Sequence, residues 1–131
     1  MSESLNNVGA ITMFVADRDR AKSFYETAFD AKSVYEDEQS IAFKFANMIV
    51  NLLVDSEAPG LIGPAVVARQ DAGSRFQLTV GVDDTDAVCE DLARRGVELL
   101  NGPIDRPWGL RTAAFADPDG HIWEVAAKIP S

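Results

Sequence analysis

The sequence predicts an α+β fold made of two βαβββ modules. Three observations predict it: one short motif occurs twice, each copy runs into an amphipathic helix, and each helix is followed by three strand-like segments. The motif is Val15-Ala16-Asp17-Arg18-Asp19 in the first half and Val82-Asp83-Asp84-Thr85-Asp86 in the second, 67 residues later. An apolar strand pattern precedes each copy. The chain is therefore interpreted as a duplicated unit.

Each module has one predicted helix, which begins after an aspartate. Apolar residues follow the helical repeat and form one face in each helix. They are Ala21, Phe24, Tyr25, Ala28 and Phe29 in the first helix, and Val88, Cys89, Leu92 and Ala93 in the second. Asp17 and Asp84 occupy the positions expected for N-caps, where a side-chain oxygen accepts a backbone N–H. Gly96 suits the left-handed residue that ends the second helix.

Three strand signals follow each helix. They lie at 33–36, 40–46 and 48–54 in the first half and at 97–100, 111–116 and 122–127 in the second. The last two strands are joined by Asp117-Pro118-Asp119-Gly120, which favours a turn because proline restricts φ and glycine accepts a positive φ. The sequence thus predicts module 1 at about 8–54 and module 2 at about 76–128, within one domain that spans 1–131.

The segment 55–75 joins the modules and is longer than most loops. It contains three glycines and two prolines, so it is predicted to be a linker with one helical turn. Its apolar residues should cover another surface; these are Leu61, Ile62, Val66 and Val67. A lid over a cavity, a dimer contact and simple packing all fit this composition.

Charge and composition exclude several classes of partner. Twelve lysines and arginines against 21 acidic residues give a formal charge of −9, which repels the phosphates of nucleic acid. Cys89 is the only cysteine, so an intrachain disulfide is excluded. No apolar run approaches the roughly 20 residues of a membrane span, and Met1 to Asn7 lacks the features of a signal peptide. We expect a cytoplasmic protein with no membrane contact.

Two segments of the chain resemble the vicinal oxygen chelate superfamily. They are the Val-x-Asp motif that leads into Ser23-Phe24-Tyr25-Glu26, and the run Phe115-Ala116-Asp117-Pro118-Asp119-Gly120-His121-Ile122-Trp123-Glu124. This superfamily includes glyoxalase I, extradiol dioxygenases and metal-free bleomycin-binding proteins. The resemblance covers nearly the whole chain, from Val8 to Lys128. It implies a curled mixed sheet around a small-molecule cavity, with the helices on the outer face, and a homodimer.

In metal-dependent members of this superfamily, four strand positions carry the metal ligands. The resemblance places these positions at Ala10, Asn51, Gln77 and Glu124. Alanine has no lone pair to donate and amides are weak neutral ligands, whereas a divalent ion favours carboxylate or imidazole donors. We therefore expect no metal and no other cofactor. The alternative is a divalent Mg, Mn, Fe, Ni or Zn ion held by Gln77, Asn51, Glu124 and waters.

The side chains expected to line the cavity alternate with those that face the helices. The inward-facing residues are Thr12, Phe14, Gln77 and Thr79, with Phe43 or Phe45 completing the wall. Glu124 could pair with a ligand cation, act as a general base, or be satisfied by protein hydrogen bonds alone. Asn51 and Gln77 could orient a polar ligand or stabilise the sheet through amide hydrogen bonds.

The segment 101–111 is predicted to be a connection at the cavity mouth, as in similar proteins. Trp108 could stack on a planar or cationic ligand, and Arg106 or Arg111 could pair with an anion. The alternative is a tryptophan that plugs the module interface and an arginine that pairs with one of the many acids. Trp123 and His121 are expected to point away from Glu124, the first into the core and the second at the turn.

These features favour one function and leave two alternatives. The favoured function is a metal-free protein that binds and sequesters a hydrophobic, aromatic or cationic small molecule, similar to drug-resistance proteins of the superfamily, rather than an enzyme. The first alternative is a glyoxalase-like lyase or isomerase, or a dioxygenase, that uses Glu124 with or without a divalent metal. The second is an interaction domain with a vestigial cavity.

Overall fold

A computed structural model describes residues 3–130 of the chain. The first module comprises β1 (Ala10–Val15), α1 (Arg18–Ala28), β2 (Ser33–Glu36), β3 (Ser40–Lys44) and β4 (Ile49–Val54). A single 3-10 turn (Asp55–Glu57) and the short helix α2 (Pro59–Ile62) follow. The second module comprises β5 (Gln77–Gly81), α3 (Thr85–Arg94), β6 (Leu99–Asp105), β7 (Leu110–Ala116) and β8 (Ile122–Lys128). The predicted α+β fold of two βαβββ modules is confirmed.

Each module forms its own four-stranded mixed sheet. The strand order is β1-β4-β3-β2 in the first sheet and β5-β8-β7-β6 in the second. In both sheets the first strand runs parallel to the last strand of the module, and the other neighbours are antiparallel. The chain divides into two compact units between Ala68 and Arg69, within the predicted linker. The single-domain interpretation stays a prediction.

Both helices begin where the sequence predicts, and α3 ends just before the predicted Gly96. Asp17 Oδ1 accepts the backbone N–H of Arg20 at 3.1 Å, and Asp84 Oδ1 accepts that of Ala87 at 3.1 Å. Gly96, with a φ of +81°, follows the C-terminal end of α3. Within residues 3–130 no helix is both long enough and apolar enough to cross a membrane.

Each helix packs its apolar face against its own sheet. Tyr25 of α1 is fully buried, and its ring centroid lies 6.0 Å from that of Phe43 on β3. The ring of Phe45 lies 5.7 Å from that of Phe29, which ends α1. The expectation that Phe43 or Phe45 lines a ligand-binding wall is wrong, because alternation along the strand directs both rings toward α1. Trp123 on β8 is 3% exposed and belongs to the core, as predicted.

Strand β6 departs from the prediction, since it continues to Asp105 instead of ending at Leu100. Most of the expected connection therefore belongs to the two strands of a β6–β7 hairpin, with 101–105 in β6 and 110–111 in β7. Its pairing with β7 contains two register shifts, between Leu99 and Ile104, which accommodate Gly102 and Pro103. β6 is an edge strand of its sheet. The missing N–H of Pro103 therefore removes no hydrogen bond between inner strands.

Candidate functional site

Side-chain alternation along β7 defines two faces of the second sheet. Arg111 reaches Asp86 in α3, so its face is the one that the helix covers. The neighbouring residue, Thr112, and every second residue from it point to the other side. We call this side the helix-distal face of the second sheet. By register it contains Gln77, Thr79, Thr112, Ala114, Glu124 and Ala126.

Glu124 and Thr79 form a polar pair on the helix-distal face. The Thr79 hydroxyl donates to Glu124 Oε1 at 2.9 Å, because the parallel pairing of β5 and β8 places the two residues opposite each other. On the other side of Glu124 its neighbour is Ala114 of β7. Among the described residues no lysine or arginine pairs with this half-buried carboxylate. The carboxylate is thus oriented by a neutral hydroxyl and keeps its charge unpaired.

The first sheet repeats this arrangement at the equivalent position. Asn51 Nδ2 donates to Thr12 Oγ1 at 3.4 Å across the parallel β1–β4 pair. Ala42 of β3 lies opposite Asn51, as an alanine does in the second module. Phe14, which is half-buried, lies two residues beyond Thr12 on the same face. Both modules therefore carry a threonine–polar–alanine row, with an amide in the first and a carboxylate in the second.

The four positions that the family resemblance marks for metal ligands have few donor atoms. Ala10 and Gln77 are exposed at the starts of β1 and β5, and the hydrogen-bond partners of Asn51 and Glu124 are threonines further along those strands. Across residues 3–130, no three His, Cys, Asp or Glu side chains are grouped so that they could hold a metal ion. A set of one carboxylate, two amides and an alanine does not fit a divalent metal.

Arg111 is already paired within the protein. Its Nε donates to Asp105 Oδ1 at 2.6 Å and its Nη1 to Asp86 Oδ2 at 2.9 Å. The hydrogen bond with Asp105 raises the pKa of Arg111, and the same bond holds the pKa of Asp105 below its usual value. The guanidinium lies on the face that α3 covers, away from Glu124. An anion-binding role for Arg111 stays a prediction, and this pairing favours the structural alternative.

Arg106 and Trp108 lie at the tip of the β6–β7 hairpin. Arg106 Nε donates to Thr112 Oγ1 at 2.9 Å, and its Cζ lies 6.0 Å from the centroid of the Trp108 ring. Trp108 is 66% exposed, so in this chain it is not a buried plug. Thr112 was not predicted as a site residue, and strand alternation from Arg111 was the only signal that could have found it. Through Thr112, Arg106 is held over the helix-distal face that carries Glu124.

The turn between β7 and β8 holds His121 away from this face. Asp117 Oδ1 accepts the backbone N–H groups of Asp119 and His121, each at 2.9 Å. Asp117 Oδ2 lies 2.7 Å from His121 Nδ1, and the Asp117 side chain is fully buried. His121 is therefore a turn residue, as predicted.

A cleft of about 450 Å³ at the start of α1 was not predicted. Its lining residues are Ala16, Asp17, Arg18, Asp19, Glu38 and Val54. Asp17 caps α1, and Arg18 pairs with Asp19 at 2.6 Å and with Glu36 at 2.7 Å. Because these charges are used within the protein, we do not assign a ligand to the cleft.

Comparisons with known proteins agree with the fold. The model of the Glyoxalase/Bleomycin resistance protein/Dioxygenase superfamily matches residues 7–125. The chain is 30% identical over 119 residues to uncharacterized protein YraH of Bacillus subtilis (strain 168), covering 88% of this chain and 93% of that protein. It is 23% identical over 124 residues to metallothiol transferase FosB of Lysinibacillus sphaericus (strain C3-41), covering 92% of this chain and 82% of that one.

A solved structure shows the same architecture. It is a glyoxalase/bleomycin resistance protein/dioxygenase from Nocardioides, which superposes on this chain with a TM-score of 0.87. The two are 22% identical, and the match covers 99% of this chain and 88% of the other. At this identity the likeness establishes the fold alone.

Proposed function

We propose that this chain, which belongs to the glyoxalase/bleomycin resistance protein/dioxygenase superfamily, binds a small organic molecule without a metal ion. The ligand lies against the helix-distal face of the second sheet, and Glu124 accepts a hydrogen bond from a cationic or N–H group on it. The homodimer and the cytoplasmic location expected from the sequence stay predictions.

One observation carries this proposal: Glu124 is a half-buried carboxylate whose protein partner is a neutral hydroxyl. A partly desolvated charge is costly unless it is paired, and a ligand cation supplies that partner. The buried residues Ala114 and Ala126 flank the carboxylate, so it lies in apolar surroundings that strengthen electrostatic pairing. The formal charge of −9 further favours a cation over an anion at this position.

The similarity to a protein named metallothiol transferase favours a second candidate, an enzyme. Its metal-dependent form is disfavoured because one carboxylate and two amides do not fit a divalent ion. What remains is proton transfer by Glu124 in a lyase or isomerase step, with Thr79 orienting the carboxylate.

Calorimetric titration of the full chain in EDTA tests the proposed function. The probe is 2-naphthylmethylammonium, which combines a planar apolar ring with a cation. We expect one molecule to bind per chain, and Glu124→Gln to weaken binding about tenfold because a charge-assisted hydrogen bond is lost. Glu90→Gln, which removes one exposed negative charge from α3, is the matched control and should leave the affinity unchanged.

Two results would contradict the proposal. Equal affinity of the wild-type protein and Glu124→Gln would remove Glu124 from the binding site. A stoichiometric metal in the purified protein, with binding lost in EDTA, would replace the metal-free function by the metal-dependent one.

A further inference from the structure

We propose that Arg106 and Trp108 form a second recognition point, which binds the carboxylate of a planar aromatic ligand. It rests on the proposed function in one respect, namely that the same ligand reaches Glu124. Three features support it: Arg106 has no carboxylate partner among the described residues, Trp108 is exposed at a turn beside it, and charge is unevenly distributed on the helix-distal face.

Arg106 is a part-buried arginine without a carboxylate partner. Three arginines are part-buried within residues 3–130, namely Arg18, Arg106 and Arg111. Arg18 and Arg111 each pair with two carboxylates. Arg106 pairs with none of the described acids, although acidic residues outnumber basic ones by 21 to 12. A part-buried guanidinium that lacks a counter-ion is suited to take one from a ligand.

The guanidinium of Arg106 is oriented so that its outer edge stays available. Its Nε donates to Thr112 Oγ1, and Thr112 is 1% exposed, so this anchor is buried. Neither terminal nitrogen forms a hydrogen bond within the described residues. Two adjacent N–H groups in one plane match the two oxygens of a carboxylate, which is the strongest geometry for such a pair.

Trp108 is presented by a rigid turn. The Gly109 N–H donates to the Arg106 carbonyl at 3.0 Å, and the Arg106 N–H donates to the Leu110 carbonyl at 2.7 Å. Pro107 restricts φ at the second position of this turn, and Gly109 has a φ of +92° that favours glycine. The indole is 66% exposed beside the guanidinium. An aromatic ring can therefore stack on Trp108 while its carboxylate meets Arg106, with little ordering of the protein on binding.

The helix-distal face is negative at Glu124 and positive near the hairpin. On β7, Thr112 lies two residues, or about 7 Å, from Ala114. Ala114 is the neighbour of Glu124 on β8. Lys128 shares the side of β8 that carries Glu124 and lies opposite Leu110, next to the hairpin. A ligand that matches this face carries its carboxylate about 7 Å or more from its cationic or N–H group.

Calorimetric titration with 2-naphthoate and 2-naphthamide tests the inference, because the two probes differ only in charge at the same ring position. We expect the wild-type chain to bind naphthoate at least about tenfold more tightly than naphthamide. Arg106→Gln should abolish this preference, and Arg106→Lys should retain part of it because the charge remains without the planar fork. Trp108→Ala should weaken both probes about fivefold through lost stacking. Arg75→Gln, which removes an exposed arginine from the segment before β5, should change neither.

The outcomes separate this inference from the proposed function. Equal affinity of the wild-type chain for naphthoate and naphthamide, or no binding of naphthoate, overturns the carboxylate site and leaves the ammonium test of Glu124 untouched. A naphthoate preference that Arg106→Gln removes and Glu124→Gln does not alter supports the carboxylate site even where Glu124 binds nothing. The comparison of probes on the wild-type chain needs no variant, so a folding defect in Arg106→Gln does not affect it.

Discussion

Replacement of Gly102 by alanine is expected to lower the free energy of unfolding by about 3 kcal/mol or more. Two causes add at this position. Gly102 has a φ of +100°, which an L side chain rarely adopts. A Cβ at Gly102 would also lie 2.6 Å from Ala113 Cα and 2.6 Å from the Thr112 carbonyl oxygen, and backbone atoms of a paired strand cannot move aside cheaply.

Two other glycines separate these causes in urea denaturation followed by circular dichroism. Gly96 has a φ of +81°, but a methyl group added there would have no neighbouring atom within 4 Å, so Gly96→Ala should show the backbone strain alone. Gly81 has neither the positive φ nor a close neighbour, so Gly81→Ala should change stability by less than about 0.5 kcal/mol. A cost for Gly102→Ala no larger than that for Gly96→Ala would show that β6 and β7 leave room for a methyl group between them.

Replacement of Asp117 by alanine is expected to cost about 3 kcal/mol of stability. The fully buried Asp117 carboxylate accepts two backbone N–H groups and contacts the His121 ring. Removal of the carboxylate leaves those N–H groups without their acceptor, and desolvated donors carry the full penalty. The turn also sets the register of β7 against β8, on which the position of Glu124 depends, since a slip of one residue would turn its side chain to the other face.

Two variants dissect this effect in the same denaturation experiment. Asp117→Asn keeps an oxygen for the two backbone N–H groups and should cost about 1 kcal/mol. His121→Ala removes the contact between the ring and Asp117 but leaves the carboxylate for the two backbone N–H groups, so it should cost less than Asp117→Ala. If Asp117→Ala and His121→Ala were equally destabilised, the ring contact rather than the backbone hydrogen bonds would stabilise the turn.

Much of the candidate site follows from local sequence patterns. Strand alternation correctly separates Thr79 and Glu124 from Trp123, which is buried on the opposite side of β8. The placement of Phe43 does not follow from such a pattern alone. Alternation puts Phe43 and Ala42 on opposite faces of β3, but which of the two faces is covered by a helix depends on where α1 packs, and Phe43 lies against Tyr25 of that helix.

The sequence alone determined the duplicated βαβββ order, the helix caps at Asp17 and Asp84, and the turn at Asp117, because each depends on residues close together in the chain. Only the tertiary structure decided between Arg106 and Arg111. The two arginines are five residues apart in one hairpin, yet Arg111 meets Asp86 of α3 and Arg106 meets Thr112 on the other face. Strand pairing and helix packing bring those partners from different parts of the chain, and the partner of a charged side chain is what decides whether it is left to bind a ligand.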